Sequence, residues 1–262
     1  MTASRPVIDI PTPQGGWAHP WLNVAEIAQR LTPADWTLIG GLMVSAHATL
    51  AGVPPSRVTI DVDMVVHLET KRGRAAATHR VLMSLGYALR DPRSLGSLDG
   101  VGHAHRYERH RGNAADIVDV MRADHTAPRV VERLAGHPML PAEGATQALR
   151  RTFNARLDLG ADEPTLVSVP DAYGALVLKA AAHMADSRDG ARHLTDAVTL
   201  LACIDDPMSI AEVTGSSSDA RRLRHLGAHL VDGDSPAWRT LSNEYRADAR
   251  ATLGILLDRL SK

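Results

Sequence analysis

Alternation of apolar and polar residues is strongest between Arg57 and Leu68, and it predicts the clearest strand of the chain. Shorter β-prone runs predict further strands at Trp36–Ile39, Tyr87–Arg90, His105–Arg109 and Asp116–Met121. The segments between these runs have helical composition, which predicts helices at Asn23–Leu31, Leu42–Leu50 and Ala75–Leu85. The first half of the chain therefore mixes strands and helices.

The pattern changes character around Pro138–Pro141. Alternation from Phe153 to Leu159 predicts a strand that pairs with Leu166–Val169 across a turn at 160–163. The residues that follow have helical composition, which predicts helices at Asp171–Met184 and Arg192–Ile204. We expect an α+β fold: an α/β lobe with a small mixed sheet, and a C-terminal, mostly helical lobe. The expected division is an N-terminal arm and short helix at 1–34, the α/β lobe at 35–140, and a hairpin followed by helices at 141–262.

Composition is that of a globular protein, with 44% hydrophobic and 23% charged residues among 262. Lys and Arg number 29 against 30 Asp and Glu, so no global basic field indicates nucleic-acid binding. A single cysteine, Cys203, excludes an intrachain disulfide and fits a reducing compartment. The first residues do not resemble a signal peptide, and no apolar run is long enough to span a membrane, so we expect a cytoplasmic protein.

The central strand has a polar face that carries Arg57, Thr59, Asp61 and Asp63. We expect the opposite, apolar face to pack against helices; it carries Val58, Ile60, Val62, Met64 and Val66. Strand geometry puts the carboxylates of Asp61 and Asp63 roughly 7 Å apart. Like charges at this spacing favour a cation between them, and Mg²⁺ prefers such hard oxygen ligands. The alternative is an ordinary solvated strand face.

A third carboxylate lies in the apolar run Ile117-Val118-Asp119-Val120-Met121. If this strand lies beside the central one, Asp119 completes a three-acid cluster able to hold two metal ions for phosphoryl transfer. Asp119 could also help to remove a proton from an attacking hydroxyl. Asp116 is the competing third acid, although an offset of three residues turns it to the opposite face of a regular strand.

A glycine pair, Gly40-Gly41, ends the predicted strand Trp36–Ile39 and opens the next helix. Glycine allows a phosphate to approach the backbone, and the start of a helix presents free N–H groups to an anion. The alternative is an ordinary tight turn. The order of strand, glycine pair, helix and acid-bearing strand is more specific than any of its parts.

Two blocks of the sequence resemble a known superfamily. Leu38-Ile39-Gly40-Gly41, His47 and Arg57-x-Thr59-x-Asp61-x-Asp63 resemble the active-site signature of the polymerase-β-like nucleotidyltransferases, and more closely that of the AbiEii/AbiGii toxin group. The later block of that group is similar to Leu178-Lys179-Ala180-Ala181-Ala182-His183, Asp186, Arg188 and Arg192-His193-Leu194-Thr195-Asp196. The resemblance runs from about Trp36 to Ile204.

The resemblance implies a nucleotidyltransferase-type sheet in the lobe at 35–140 and a role for each matching residue. Asp61, Asp63 and Asp119 would be catalytic metal ligands, expected to hold two Mg²⁺ ions. Lys179 and Asp196 would be the catalytic pair of the second block, with Lys179 offering its charge to a triphosphate. The implied nucleotide-binding residues are Gly40, Gly41, Arg57, Thr59, Lys179 and Arg188.

The implied activity is Mg²⁺-dependent transfer of a nucleoside monophosphate from an NTP to an acceptor hydroxyl. The resemblance suggests RNA as the acceptor, such as a tRNA 3′ end, and a toxin that is paired with an antitoxin protein. Two alternatives stay open. The enzyme could modify a small molecule such as an aminoglycoside, or a protein side chain. The chain could also be a non-catalytic nucleotide- or partner-binding module, although three converging acids argue against that.

Several residues also have ordinary structural explanations. Lys179 lies in an apolar helix, where it could extend to solvent, pair with Asp196 or serve a ligand. We expect His47 to pack beneath the site or bond a backbone carbonyl. His103 and His105 lack a suitably spaced partner for zinc. The basic clusters Arg150-Arg151 and Arg221-Arg222-x-Arg224-His225 are expected to be solvated faces, or else contacts for an RNA backbone.

Overall fold

A computed structural model describes residues 5–95, 102–186, 189–212 and 216–260. These residues form an α+β fold of mixed sheets and helices, as the sequence predicts. The strands are β1 (Val7–Asp9), β2 (Trp36–Ile39), β3 (Asp61–Val66), β4 (Ala88–Leu89), β5 (Arg106–Arg111), β6 (Ala114–Ala123), β7 (Arg133–Leu134), β8 (His137–Pro138), β9 (Pro141–Ala142), β10 (Thr152–Leu157) and β11 (Thr165–Pro170). The helices are α1 (Trp21–Ala28), α2 (Gly40–Ala51), α3 (Arg74–Ser84), α4 (Ala145–Ala148), α5 (Ala172–Ala185), α6 (Gly190–Ala202), α7 (Pro207–Glu212), α8 (Ser217–Leu230) and α9 (Asn243–Leu260).

The larger sheet has the strand order β2-β3-β6-β5-β4. The short strand β9 pairs in parallel with the last two residues of β6. Its central pair, β3 and β6, is parallel, whereas β2 and β5 run antiparallel to their neighbours in this pair. In this register Asp63 lies opposite Ile39 on one side and Asp119 on the other. The sheet thus puts the acidic residues of two separate strands side by side.

The central strand is shorter than its alternating pattern predicts, since β3 begins at Asp61 rather than Arg57. Strand β2 ends at Ile39, where Gly40 turns the chain into α2, and the pairing with β6 begins at Asp61. Without strand partners, the preceding residues do not join the sheet. Val58 and Ile60 are consequently 84% and 62% exposed, so the expectation that they pack against helices is wrong.

The smaller sheet has the order β1-β10-β11. Strands β10 and β11 form the antiparallel hairpin predicted from the alternation after Phe153. The first described residues add β1, which pairs in parallel with β10. Both sheets and the C-terminal helices share one apolar core, in which Trp36 and Trp238 are among the largest buried side chains. Among the described helices, none has the length and apolar composition needed to cross a bilayer.

Asp124, just after β6, connects the larger sheet to two helices. Its carboxylate accepts backbone N–H bonds of 2.8 and 3.0 Å from Gly144 and Thr146 at the start of α4. It also accepts a bond of 3.3 Å from Arg222 on α8. Arg222 is therefore buried in an ion pair, contrary to both expectations for this residue, whereas Arg221 and Arg224 of the same basic cluster are exposed as expected. Burial alone would raise the pKa of Asp124, but the bonds from Thr146 and Gly144 hold it below its usual value.

We expect Asp124→Asn to lower the free energy of unfolding by about 3 kcal/mol, because the substitution leaves the buried Arg222 with the longer contact of 3.8 Å to Asp219 as its remaining ion pair among the described residues. Urea denaturation would measure the loss, with the exposed Asp234→Asn as the control. The lowered pKa means that the Asp124 carboxylate stabilises the fold fully above pH about 4 and less as the pH falls further. The difference between wild type and Asp124→Asn should shrink accordingly in acid; equal stabilities at pH 7 would contradict this account.

Candidate functional site

Three carboxylates converge at the cleft edge of the larger sheet. Asp61 and Asp63 project from the same face of β3, and Asp119 lies opposite Asp63 on the parallel strand β6. One oxygen from each of the three lies within 4.8 Å of the others. Asp116 is on the opposite face, where it contacts His19 at 2.8 Å, so Asp119 is the third acid of the cluster.

The negative charges of the three acids are neutralised to different extents by neighbouring cations. Both oxygens of Asp119 accept hydrogen bonds from the Arg106 guanidinium, at 2.9 and 2.6 Å. Neither Asp61 nor Asp63 forms an ion pair with another described residue. Desolvation raises the pKa of Asp63 to about 7, and the charges of Asp61 and Asp119 push it in the same direction. The cluster therefore contains carboxylate charge that the described side chains leave uncompensated.

Gly40 is required by the position of Asp63. The glycine has a left-handed φ of +69°, and a Cβ there would collide with the Asp63 carboxylate. A Cβ at the next residue, Gly41, would collide with the hydroxyl of Thr59. Both glycines border the cleft, but the space above them is occupied by side chains of the same chain. Close approach of a phosphate to the glycine pair stays a prediction.

A buried ion network lies beside the acid cluster. Asp196 of α6 is 1% exposed and accepts two hydrogen bonds from Arg57, at 2.7 and 2.9 Å. The ammonium of Lys179 on α5 lies 2.7 Å from the same carboxylate, so the pairing with Asp196, one of the alternatives left open for Lys179, is present. Burial alone would raise the pKa of Asp196, but Lys179 and Arg57 hold it below its usual value.

The three acids line one cleft of about 940 Å³ together with Arg57 and Lys179, the two cations of the network. Arg106 also borders it, so the cleft presents cations together with the carboxylates. The exposed apolar side chains of Val58 and Ile60 also line it. The volume is within the range of small-molecule sites, which run from roughly 300 to 1,000 Å³. The cleft therefore combines carboxylates, cations and apolar surface at the scale of a nucleotide.

The structure places most of the predicted site residues at this cleft. Of the others, Thr59 covers Gly41, and Asp196 is buried behind Arg57 and Lys179. Arg188 lies outside the described residues. His47 is bonded to the Pro170 carbonyl at 2.9 Å, as expected of a histidine packed beneath the site.

Sequence reasoning did not assign Arg106 its partner. In the antiparallel pairing of β5 and β6, Arg106 lies directly opposite Asp119. The turn at Arg111-Gly112-Asn113 could have predicted this pair, because a hairpin turn fixes which residues of its two strands lie opposite each other. Arg106 holds the third acid in place through two parallel hydrogen bonds, a geometry for which a guanidinium is well suited.

No protein-family model matches the chain, and no curated protein matches it significantly.

The acid cluster fits a divalent cation on the chemistry of its donors. Three carboxylates supply hard oxygen ligands, which Mg²⁺ prefers. Asp61 and Asp63 form no ion pair with a described side chain, and they repel each other in a partly desolvated cleft. A bound cation would remove that repulsion, so the residues present are suited to hold one.

We expect Gly40→Ala to weaken divalent-cation binding by at least about 10-fold, because the new Cβ displaces the Asp63 carboxylate. The matched control is Gly52→Ala at the end of α2. Gly52 has nearly the same φ, +68°, but a Cβ there meets nothing within 4 Å. Both variants share the backbone strain of a left-handed alanine, of about 1 kcal/mol. Calorimetric titration with Mg²⁺ or Mn²⁺ compares them; equal affinities would mean that Gly40 has no role in positioning Asp63.

Proposed function

We propose that the protein is a Mg²⁺-dependent nucleotidyltransferase, which moves a nucleoside monophosphate from an NTP to an acceptor hydroxyl. The observation that carries this proposal is the convergence of Asp61, Asp63 and Asp119 at a nucleotide-sized cleft. The resemblance of the surrounding motifs to polymerase-β-like nucleotidyltransferases supports the same chemistry. The proposed cofactor is Mg²⁺, as two ions, and the proposed first substrate is an NTP.

The acids would hold the metal, and the neighbouring residues would fix the acids. Asp61 and Asp63 supply the uncompensated carboxylates, while Arg106 keeps the Asp119 carboxylate from rotating. Gly40 leaves the space in which Asp63 lies. Bound Mg²⁺ would neutralise phosphate charge and assist ionisation of the attacking hydroxyl.

The cations of the cleft would bind the triphosphate. Lys179 carries three N–H donors and borders the cleft while it contacts Asp196, so donors remain for a phosphate. Arg57 borders the same space. In the transfer, a bond forms between the acceptor oxygen and the α-phosphorus, and the bond from that phosphorus to the pyrophosphate oxygen breaks. Pyrophosphate leaves, and the hydroxyl proton passes to a carboxylate of the cluster.

RNA, such as a tRNA 3′ end, is the acceptor that we propose from the resemblance to the AbiEii/AbiGii group. The same resemblance supports a toxin role with an antitoxin partner, and the substrates would place the reaction in the cytoplasm. Val58 and Ile60 offer exposed apolar surface against which a nucleobase or ribose could pack. A small-molecule or protein acceptor would use the same acid cluster and is separated from RNA by experiment.

A non-catalytic binding module is the remaining alternative. Such a module gains nothing from two carboxylates that no described cation pairs with, because their negative charge in a desolvated cleft opposes binding of a triphosphate. An enzyme gains a metal site from them. This asymmetry favours catalysis.

The decisive experiment incubates the protein with each α-labelled NTP, Mg²⁺ and total cellular RNA. We expect one NTP to label RNA, and Asp63→Asn to reduce labelling by at least about 100-fold, since loss of a metal ligand removes several kcal/mol of transition-state stabilisation. The control is Asp9→Asn on β1, whose exposed carboxylate pairs only with Arg156 among the described side chains. Labelling of a protein or small molecule instead of RNA would keep the proposed chemistry and show that RNA is not the acceptor. Full activity of Asp63→Asn, or absence of transfer to any acceptor, would contradict the proposal.

Lys179→Ala tests the triphosphate contact separately. We expect the KM for the NTP to rise about 10-fold or more, because a buried cation facing the phosphates is lost. The fold should survive, because Asp196 keeps both hydrogen bonds from Arg57. Steady-state kinetics and a thermal melt measure the two effects, with the exposed Lys71→Ala as the control. Unchanged kinetics would limit Lys179 to a structural partner of Asp196.

A further inference from the structure

Three histidines form a cluster outside the acid site. His183 lies near the end of α5, and His225 and His229 lie on α8. A ring nitrogen from each lies within 4.8 Å of the others, and Nδ1 of His183 is 2.8 Å from Nε2 of His225. The ring centroids are 4.5 to 5.1 Å apart. The two helices therefore bring three imidazoles to one point.

The position of the two histidines on α8 suits chelation. His225 and His229 are four residues apart, so their side chains lie on the same face of the helix, one turn from each other. Paired histidines at this spacing hold zinc from one helix face in metalloproteases. The packing of α5 against α8 adds His183 as a third nitrogen donor.

One ligand is already oriented by the backbone. Nδ1 of His229 lies 2.9 Å from the carbonyl oxygen of His225. A carbonyl can only accept, so Nδ1 of His229 is the protonated nitrogen and Nε2 carries the free lone pair. A hydrogen bond from the second ring nitrogen to a carbonyl is the usual way in which proteins orient a metal-binding histidine.

From these contacts we propose that His183, His225 and His229 bind a divalent transition-metal ion, with Zn²⁺ as the best match. Zinc takes imidazole nitrogens at about 2.0–2.1 Å in tetrahedral sites, which puts ligand nitrogens roughly 3.4 Å apart. The distance of 2.8 Å between the His183 and His225 nitrogens and the limit of 4.8 Å for the whole cluster lie on either side of that spacing. His229 is exposed and the other two are partly buried, so solvent can supply the fourth ligand.

The ion would join two helices that are far apart in sequence. His183 lies one turn after Lys179 on α5, and so the ion would also fix the part of this helix that borders the cleft. Imidazole nitrogens select zinc over Mg²⁺, which prefers oxygen. The proposal is independent of the activity assigned to the acid cluster.

Zinc titration of the untagged, chelator-treated full chain against a competing chromophoric chelator tests the site. We expect one Zn²⁺ per chain to bind tightly enough to compete with the chelator, apart from any weaker zinc at the acid cluster. We also expect a rise in the unfolding midpoint with zinc and a Co²⁺ absorption spectrum typical of a tetrahedral site. His225→Gln and His229→Gln should each weaken zinc binding by more than about 100-fold, since even the loss of an outer-shell partner can cost that much. His229 is exposed, so its substitution should leave the zinc-free melt unchanged.

Two controls locate the ion. His110→Gln, at an exposed histidine of β5, should bind zinc as the wild type does. Asp63→Asn should also keep this binding, because the acid cluster is a separate site. The proposal is overturned if no stoichiometric zinc binds, if both α8 variants bind zinc normally, or if Asp63→Asn alone removes the binding.

Discussion

Repulsion among the three carboxylates is the constraint on which the site depends. The parallel pairing of β3 and β6 holds Asp63 opposite Asp119, and strand alternation adds Asp61 on the same face. The chain compensates one acid, through Arg106, and leaves two without an ionic partner among the described side chains. An arrangement that raises the pKa of Asp63 to about 7 costs stability in the absence of a cation. A bound metal ion would offset this cost, so the arrangement of the three carboxylates favours metal-dependent chemistry.

The ion network around Asp196 has the opposite balance. Two cations, Arg57 and Lys179, share one buried carboxylate, so the network carries an excess of one positive charge. It joins the segment before β3 to both α5 and α6, and these helices belong to the later part of the chain. The cleft therefore has surplus negative charge at the acid cluster and surplus positive charge at the network around Asp196. A metal ion together with a triphosphate complements both sides at once, whereas either alone complements only one.

The local sequence pattern correctly predicted on which face of a strand each acid lies. It failed for strand length, which depends on pairing with strands that are distant in sequence. The alternation around Asp61 and Asp63 gave the correct face for both acids, and the offset of three residues separated Asp119 from Asp116. The predicted start of β3 was wrong because strand length depends on partners: β2 ends at Ile39 and the pairing with β6 begins at Asp61, and the alternation carries neither limit. The left-handed turn at Gly40 has a local signal in the glycine pair, but its neighbour, Asp63, comes from another strand.

The histidine cluster shows the same limit at longer range. The spacing of His225 and His229 is visible in the sequence, yet two nitrogens on one helix do not make a closed site, and the third comes from α5 through packing. Donor chemistry then separates the two clusters that share this region. Oxygen donors suit Mg²⁺ and nitrogen donors suit zinc, but the Irving–Williams order lets zinc also compete at carboxylates. Selectivity is therefore strict in one direction only, because the histidines exclude Mg²⁺ more firmly than the aspartates exclude zinc.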